Sequence, residues 1–182
     1  MKIIGIVGSP RKNGNTDILV NEVLEGAKEN GAEVERIFLN DLDFRECQAC
    51  DGCRVNGNCV LDDDMSSVYR KLIEADGIVL GTPVYFLNVT AQLKKFIDRC
   101  RCLFNDRFES KLNGKKGVVV AVCGNPDITM TGSTVSNLMN IMRFSGMDFV
   151  GSVEGSAVNK GDIGNSANVM KKARSLGIDM TN

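Results

Sequence analysis

Apolar strand patterns and amphipathic helix patterns alternate along the whole chain of 182 residues. Short runs rich in Val, Ile and Gly predict strands at 2–7, 33–39, 77–81, 117–123 and 147–153. Apolar stripes at helical spacing predict five helices, at 17–30, after 62–64, near 93–100, near 135–142 and at 167–176. This alternation predicts an α/β fold, a doubly wound five-stranded parallel sheet with helices on both faces.

Composition limits what such a sheet can do. A hydrophobic content of 43% suits one core, so residues 1–182 are expected to form a single domain with a cysteine-rich loop at 40–61. A net charge of -1, from 22 basic and 23 acidic residues, argues against nucleic acid or an anionic membrane as a partner. The opening apolar run, 3–7, is too short for a signal peptide, and no later segment approaches membrane-spanning length. These features favour a cytoplasmic protein.

The chain contains no histidine, which excludes several kinds of catalysis. Serine–histidine and cysteine–histidine nucleophile pairs are impossible, and so is a histidine-ligated zinc centre. A bound cofactor is therefore expected to carry the chemistry.

The loop after the first predicted strand has the features of a phosphate site. It reads Gly-Ser-Pro-Arg-Lys-Asn-Gly-Asn-Thr from Gly8 to Thr16, and a helix follows. Backbone N–H groups at the start of a helix bind anions, and Ser9, Arg11 and Asn15 add polar or charged donors. The spacing is that of neither the nucleotide-triphosphatase loop nor the dinucleotide fingerprint.

The loop after the third predicted strand offers a platform for a flat ring. Thr82 is followed by Pro83, Val84, Tyr85 and Phe86, which combine a stiff backbone with two aromatic side chains. We expect the backbone groups of 84–86 to hydrogen-bond the polar edge of such a ring. The alternative is that both aromatic side chains only cover the end of the sheet.

Four of the seven cysteines form one compact run, with two, two and five residues between successive members: Cys47, Cys50, Cys53 and Cys59. Thiolates at this spacing can reach the iron corners of one cubane cluster. A reducing compartment makes a disulfide framework an unsuitable explanation. Reduced cysteines that only shape the loop, a zinc site and a thiol switch remain as alternatives.

Three motifs resemble the NAD(P)H-dependent FMN reductase and iron-sulfur flavoprotein family, whose fold is flavodoxin-like. They are the loop 8–16, the Thr-Pro-Val-Tyr-Phe motif at 82–86, and Ala-Gln-Leu-Lys-Lys-Phe-Ile-Asp-Arg at 91–99. The resemblance implies that FMN binds with its phosphate and its isoalloxazine ring at these positions: Ser9, Arg11, Asn15 and Thr16 for the phosphate, and Pro83, Val84, Tyr85, Phe86 and Asn88 for the ring. Gly124 and Asn125 follow the fourth strand where many relatives carry a Gly-Gly-x-x-Gly-Gly-Gln-Glu type of loop, so this part departs from the pattern.

Two functions of different classes follow from the resemblance. In the first, FMN passes electrons from NAD(P)H or a reduced protein partner to a small acceptor such as a quinone or a flavin. In the second, the protein is an electron carrier between ferredoxin, a [4Fe-4S] cluster on the four cysteines, and FMN. A flavin-binding redox sensor without turnover is a third alternative. The resemblance also implies a homodimer or homotetramer.

Overall fold

The computed structural model describes residues 1–182, in which five parallel strands form one sheet with the order β2-β1-β3-β4-β5. The strands are β1 (Lys2–Val7), β2 (Glu33–Phe38), β3 (Gly77–Pro83), β4 (Lys116–Cys123) and β5 (Asp148–Ser156). This is the flavodoxin-like strand order, in which the winding reverses between β1 and β3. The predicted fold class is confirmed.

Six α-helices connect or flank the strands: α1 (Asn15–Glu29), α2 (Gly52–Asn56), α3 (Met65–Glu74), α4 (Ala91–Arg99), α5 (Gly132–Phe144) and α6 (Ala167–Asp179). The sequence predicted five helices and treated the cysteine-bearing stretch as irregular, so α2 is a correction. This helix is only five residues long and has no buried residue, so it produces no apolar stripe. Left-handed residues bound it on both sides, Asp51 with φ 55° and Gly57 with φ 69°.

The two faces of the sheet carry separate apolar cores. Helices α1 and α6 cover one face, and their close approach requires Gly177, where an added Cβ would lie 1.9 Å from the Val23 carbonyl oxygen. Helices α3, α4 and α5 cover the other face, where Leu72, Leu93 and Leu138 are fully buried. Burial of each such side chain stabilises the fold by about 1.5–3 kcal/mol.

The carboxyl ends of β3 and β5 extend beyond their predicted limits. Pro83 still pairs with Val122, and Ser156 pairs with Cys123, so these ends are held by neighbouring strands that a local pattern does not reveal. The extension places the loops after β1, β3, β4 and β5 around one edge of the sheet. None of the helices combines the length and the apolar character needed to cross a membrane.

Candidate functional site

A cavity of about 140 Å³ lies at the carboxyl ends of the strands, beside the point where the winding reverses. Eight of the predicted cofactor residues line it: Ser9, Arg11, Asn15, Thr16, Pro83, Val84, Tyr85 and Gly124. Six further lining residues were not predicted: Gly14, Val122, Cys123, Ala157, Val158 and Lys160. Three of these come from the loop after β5, for which the sequence offered no motif.

Unpaired donors are concentrated at the head of α1. The backbone N–H groups of Ser9, Asn15 and Thr16 donate to no backbone carbonyl, and the side chains of Ser9 and Thr16 are almost fully buried. Residue 14 caps the helix in an extended conformation without a side-chain hydrogen bond. The free N–H groups and the positive end of the helix dipole together form an anion site.

Asp17 fixes the shape of the phosphate loop, residues 8–16. Its carboxylate accepts a hydrogen bond from the Asn13 N–H at 2.7 Å, and Asn13 is held in the left-handed conformation with φ 56°. The other carboxylate oxygen lies 2.9 Å from Arg36 Nη1, close enough for an ion pair but not aligned for a hydrogen bond. The negative charge of Asp17 is thus balanced by Arg36, and neither side chain lines the anion site.

The basic residues of the loop face different partners. Arg11 is exposed and lines the cavity, whereas Lys12 forms an ion pair with Asp41 at 2.7 Å. Lys160 lines the cavity from the opposite side. Arg11 and Lys160 are therefore the two cations available to an anion bound here.

The side chain of Asn15 has a different role from the expected one. Its amide nitrogen donates to the carbonyls of Ala157 and Asn159 at 3.3 and 2.8 Å. Its oxygen accepts from the N–H groups of Gly161 and Ile163 at 2.9 and 3.3 Å. The amide is fully used in holding the loop after β5, so only the backbone N–H of Asn15 remains for an anion.

The predicted ring platform is a tight hairpin with an exposed tip. Tyr85 and Asn88 exchange backbone hydrogen bonds of 2.9 and 3.1 Å, and the two residues between them, Phe86 and Leu87, have φ values of 48° and 63°. These angles are typical of a type I′ turn, which glycine and asparagine normally occupy. The Leu87 carbonyl accepts hydrogen bonds from Ser133 and Thr134 at the start of α5.

This geometry corrects the expected hydrogen bonding of 84–86. The Val84 N–H donates to Val122 and the Tyr85 N–H to Asn88, so among these three only the Phe86 N–H is free. The Phe86 side chain is fully exposed, and neither Phe86 nor Asn88 lines the cavity. Tyr85 does line it and is 46% exposed, so its side chain borders both the cavity and the solvent.

The loop after β4 contributes one of its two predicted residues. Gly124 lines the cavity, and a Cβ added there would meet no atom within 4 Å. Asn125 does not line the cavity; its side chain accepts from the Asp127 N–H, and its carbonyl accepts from the Ser156 hydroxyl. Its side chain therefore shapes its own loop.

Two buried threonines, which were not predicted as site residues, connect the phosphate loop to the loop after β3. The Thr90 hydroxyl donates to the Gly8 carbonyl at 2.7 Å and accepts from the Leu93 N–H at the start of α4. The Thr82 hydroxyl accepts from the Thr90 N–H at 3.2 Å and donates to the Pro83 carbonyl. A threonine just before a helical stripe is a helix-cap signal, which identifies the cap but not the distant contact.

A larger cavity, about 270 Å³, lies against α4 and α5 near the other end of the sheet. Its lining is almost entirely apolar and includes Phe104, Phe108 and Phe144. It lacks a group of unpaired polar donors, whereas the smaller cavity has them. The chemistry of the donors, more than cavity size, identifies the functional site.

The four clustered cysteines share a second, narrow cavity of about 40 Å³, and Cys102 lines it too. All are free thiols. No three cysteine, aspartate or glutamate side chains are close enough to hold a single metal ion. Seven consecutive residues of this loop, 47–53, donate no backbone N–H to another backbone group, which leaves these donors free to face sulfur.

Burial affects two of the thiols that line this cavity. Burial raises the pKa of Cys53, an effect that the nearby Arg101 partly opposes, and burial also raises the pKa of Cys102. These two side chains are neutral thiols near pH 7 unless a metal displaces their protons.

A buried ion pair forms one wall of the cysteine cavity. The Arg99 side chain is 0% exposed; its Nη1 lies 2.6 Å from Asp63 Oδ2 and its Nη2 lies 3.0 Å from Asp63 Oδ1. Burial by itself lowers the pKa of Arg99, but the hydrogen bond to Asp63 and the electrostatic effect of Tyr69 raise it more. Arg99 Nε is buried without a hydrogen-bond partner.

Known proteins resemble this chain over most of its length. A family model described as NADPH-dependent FMN reductase matches residues 1–161. An iron-sulfur flavoprotein of Methanocaldococcus jannaschii is 40% identical over 185 residues, which cover 97% of this chain and 94% of that protein. A Bacillus subtilis protein named as a candidate NAD(P)H-dependent FMN-containing oxidoreductase is 29% identical and covers 90% of this chain and 89% of its own. The solved structure of a flavone reductase shares the fold, with a TM-score of 0.77 at 24% identity, over 100% of this chain and 62% of the other.

Proposed function

Because this chain belongs to the NADPH-dependent FMN reductase family, we propose that it is an FMN-dependent oxidoreductase that passes electrons from NAD(P)H or a reduced protein partner to a small acceptor, such as a quinone or a flavin. The observation that carries the proposal is the set of unpaired N–H groups of Ser9, Asn15 and Thr16 in one cavity with Tyr85. Bound FMN supplies the redox chemistry, since its isoalloxazine ring accepts and releases electrons.

The residues present fit FMN. Its phosphate would be held by the N–H groups of Ser9, Asn15 and Thr16, with Arg11 and Lys160 supplying positive charge. Pro83 to Tyr85 and Gly124 would border the ring. A cavity of about 140 Å³ is small for a ligand of this size, so part of the ring would remain accessible to a donor and an acceptor.

No carboxylate or histidine of the chain lines the cavity. Its polar lining consists of hydroxyls, amides, the Cys123 thiol and two cations. The chain's own contribution is to bind the phosphate, orient the ring and leave one ring face open.

The proposal is tested by titrating apo-protein with FMN and following the quenching of flavin fluorescence. Saturable binding is expected, and Arg11→Ala, which removes a cation from the cavity, should weaken it. Lys12→Ala, which removes a cation already paired with Asp41, should not. Turnover is then measured as oxidation of NADH or NADPH in the presence of a quinone or free flavin. No saturable binding of FMN would refute the proposal, and binding without oxidation of either nucleotide would refute its NAD(P)H-dependent form.

A second candidate, an electron carrier with a [4Fe-4S] cluster, is supported by the cysteine cavity and by the name of the Methanocaldococcus jannaschii relative. A cubane cluster has four iron corners, each bound by a separate thiolate, so its ligands need not converge on one point. The donor set of four free thiols, the unpaired N–H groups of 47–53 and the unpartnered Arg99 Nε fit such a cluster. Cys47, Cys50, Cys53 and Cys59 would hold it.

Iron and acid-labile sulfide in anaerobically purified protein separate the two candidates. About four irons and four sulfides per chain, the content of one cubane cluster, would support the electron-carrier function. A yellow protein without iron, even after reconstitution with ferrous iron and sulfide, would exclude the carrier and leave the simple reductase.

We infer one domain over 1–182, a homodimer or homotetramer, and a cytoplasmic location. Phe86, which is fully exposed beside the site, supports contact with another subunit, and seven free cysteines suit a reducing compartment.

A further inference from the structure

Arg99 ends α4 with its guanidinium buried against the cysteine cavity. Each of its two terminal nitrogens donates, in three hydrogen bonds of 2.6–3.0 Å to Asp63 and the Arg45 carbonyl. The third nitrogen, Nε, has no partner in the chain. A buried N–H without an acceptor is rare in native proteins and points to an absent partner.

The guanidinium cannot turn to satisfy this N–H elsewhere. It is planar, and both carboxylate oxygens of Asp63 hold its terminal nitrogens, so the direction of Nε is fixed as well. Asp63 is in turn anchored by the N–H groups of Arg45 and Met65, each at 3.2 Å. The segments around Arg45 and Met65 thus hold Asp63 in place, and Asp63 in turn fixes the position of Arg99 Nε.

The chemistry of the cavity limits which acceptor can complete this site. Its lining includes five cysteines and two arginines but only one carboxylate, Asp51, which is exposed. Neutral thiols are weak acceptors, whereas thiolate and sulfide of an iron-sulfur cluster carry negative charge and accept hydrogen bonds. An anionic sulfur therefore suits the free N–H better than any group of the chain.

We propose that Arg99 Nε–H donates a hydrogen bond to a sulfur of the cluster bound by Cys47, Cys50, Cys53 and Cys59, and that Arg99 thereby raises the reduction potential of that cluster. The proposal rests on the second candidate function above. One added electron makes the cluster more negative, and a fixed donor stabilises that state more than the oxidised one. Arg99 would thus contact the redox centre directly and tune its potential.

The test is a potentiometric titration with dithionite, followed by the EPR signal of the one-electron-reduced cluster. Arg99→Lys keeps the charge that faces Asp63 but removes the Nε–H. We expect it to retain iron and sulfide and to change the ratio of reduced to oxidised cluster at a fixed potential by about tenfold, a shift of about 59 mV to more negative values.

Tyr69→Phe is the matched control, because the Tyr69 hydroxyl donates to the Arg99 carbonyl at 3.1 Å in the same buried network. This variant loses a structural hydrogen bond but keeps the Nε–H, so its potential should equal that of the wild type. An unchanged potential in cluster-loaded Arg99→Lys would overturn the proposal, and so would an equal shift in Tyr69→Phe.

A second measurement does not depend on the folding of Arg99→Lys. Protein carrying arginine labelled with ¹⁵N only in the guanidinium, with Arg101→Lys to remove the other cavity arginine, should show hyperfine coupling of a nitrogen to the reduced cluster in pulsed EPR. A loaded cluster without this coupling would refute the role of Arg99 alone. Absence of iron and sulfide from the wild type would instead refute the cluster function on which it rests.

Discussion

The Thr90 hydroxyl donates a hydrogen bond to the Gly8 carbonyl across 82 residues of sequence, over 2.7 Å. The same oxygen accepts from the Leu93 N–H and so caps α4. One side chain therefore fixes both the end of β1, where the phosphate loop begins, and the helix that follows the ring platform. Cofactor binding is expected to depend on this buried residue even though it does not line the cavity.

Thr90→Val should lower both stability and FMN affinity. The isosteric change leaves the Gly8 carbonyl and the Leu93 N–H without their partner, which should reduce the free energy of unfolding by about 1–3 kcal/mol. Urea unfolding and FMN titration measure the two effects. Thr181→Val is the control: this half-buried threonine makes only solvent-exposed hydrogen bonds, to Asn30 and to the Ile178 carbonyl, and the change should alter neither quantity by a comparable amount. A Thr90→Val protein with wild-type affinity would contradict the proposed coupling.

Gly81→Ala should disturb the contact between β3 and α1. An added Cβ would lie 2.3 Å from Val20 Cγ2 and 3.2 Å from Thr16 Cγ2, so the head of α1 must shift. We expect a loss of about 1–3 kcal/mol in unfolding free energy and weaker FMN binding. Gly132→Ala, where nothing lies within 4 Å, is the control and should be neutral. Equal behaviour of the two variants would rule out this packing argument.

Asn15→Ala should loosen the loop after β5. The Asn15 amide makes hydrogen bonds to four residues of that loop, so its removal should increase amide hydrogen exchange in residues 157–163. FMN affinity should fall because Lys160 loses its fixed position. Asn21→Ala on the same helix, which loses only the contact to Arg36, should leave exchange in 157–163 unchanged. Unaltered exchange in Asn15→Ala would show that the loop is held by other contacts.

Leu87→Gly should stabilise the protein. Leu87 has a φ of 63° and is 57% exposed, so the change removes a strained conformation and little burial. The left-handed conformation costs about 1–2 kcal/mol for a residue with a Cβ, and part of that should appear as a higher free energy of unfolding. Ile178→Gly, inside α6, should lower the same quantity by about 1 kcal/mol or more. A less stable Leu87→Gly protein would mean that Leu87 contributes contacts that outweigh the strain.

The Asp63–Arg99 ion pair should make stability depend on acid pH. Burial by itself raises the pKa of Asp63, but hydrogen bonds from Arg99 and the Arg45 N–H lower it below its ordinary value of 3.8. A lowered folded-state pKa adds stability above pH 3.8, and this is lost as pH falls from there through the folded-state pKa. Urea unfolding between pH 6 and pH 2.5 should therefore show a steeper loss for the wild type than for Asp63→Asn. Asp106→Asn, which removes an exposed ion pair with Arg54, should follow the wild-type curve.

Much of the fold could be predicted because its signals are local. The limits of β1 match the prediction at both ends, and Gly31 and Gly146 follow α1 and α5 with the left-handed φ values that glycine commonly adopts after a helix. The helix α2 was missed because five exposed residues carry no periodic pattern. Eight of the eleven predicted cofactor residues line one cavity, while Phe86, Asn88 and Asn125 do not, because turns and local hydrogen bonds direct them elsewhere.

The sequence by itself determined the order of strands and helices and the position of the phosphate loop, because apolar periodicity and turn residues act over short stretches of chain. Only the tertiary structure decided which donors remain free: Asn15 is used by a loop more than 140 residues away, and Arg99 is fixed by Asp63. Those partners are set by how helices pack across the sheet. That packing leaves the N–H groups of Ser9, Thr16 and Arg99 without a partner in the chain. The proposed binding of FMN and of a cluster rests on these groups.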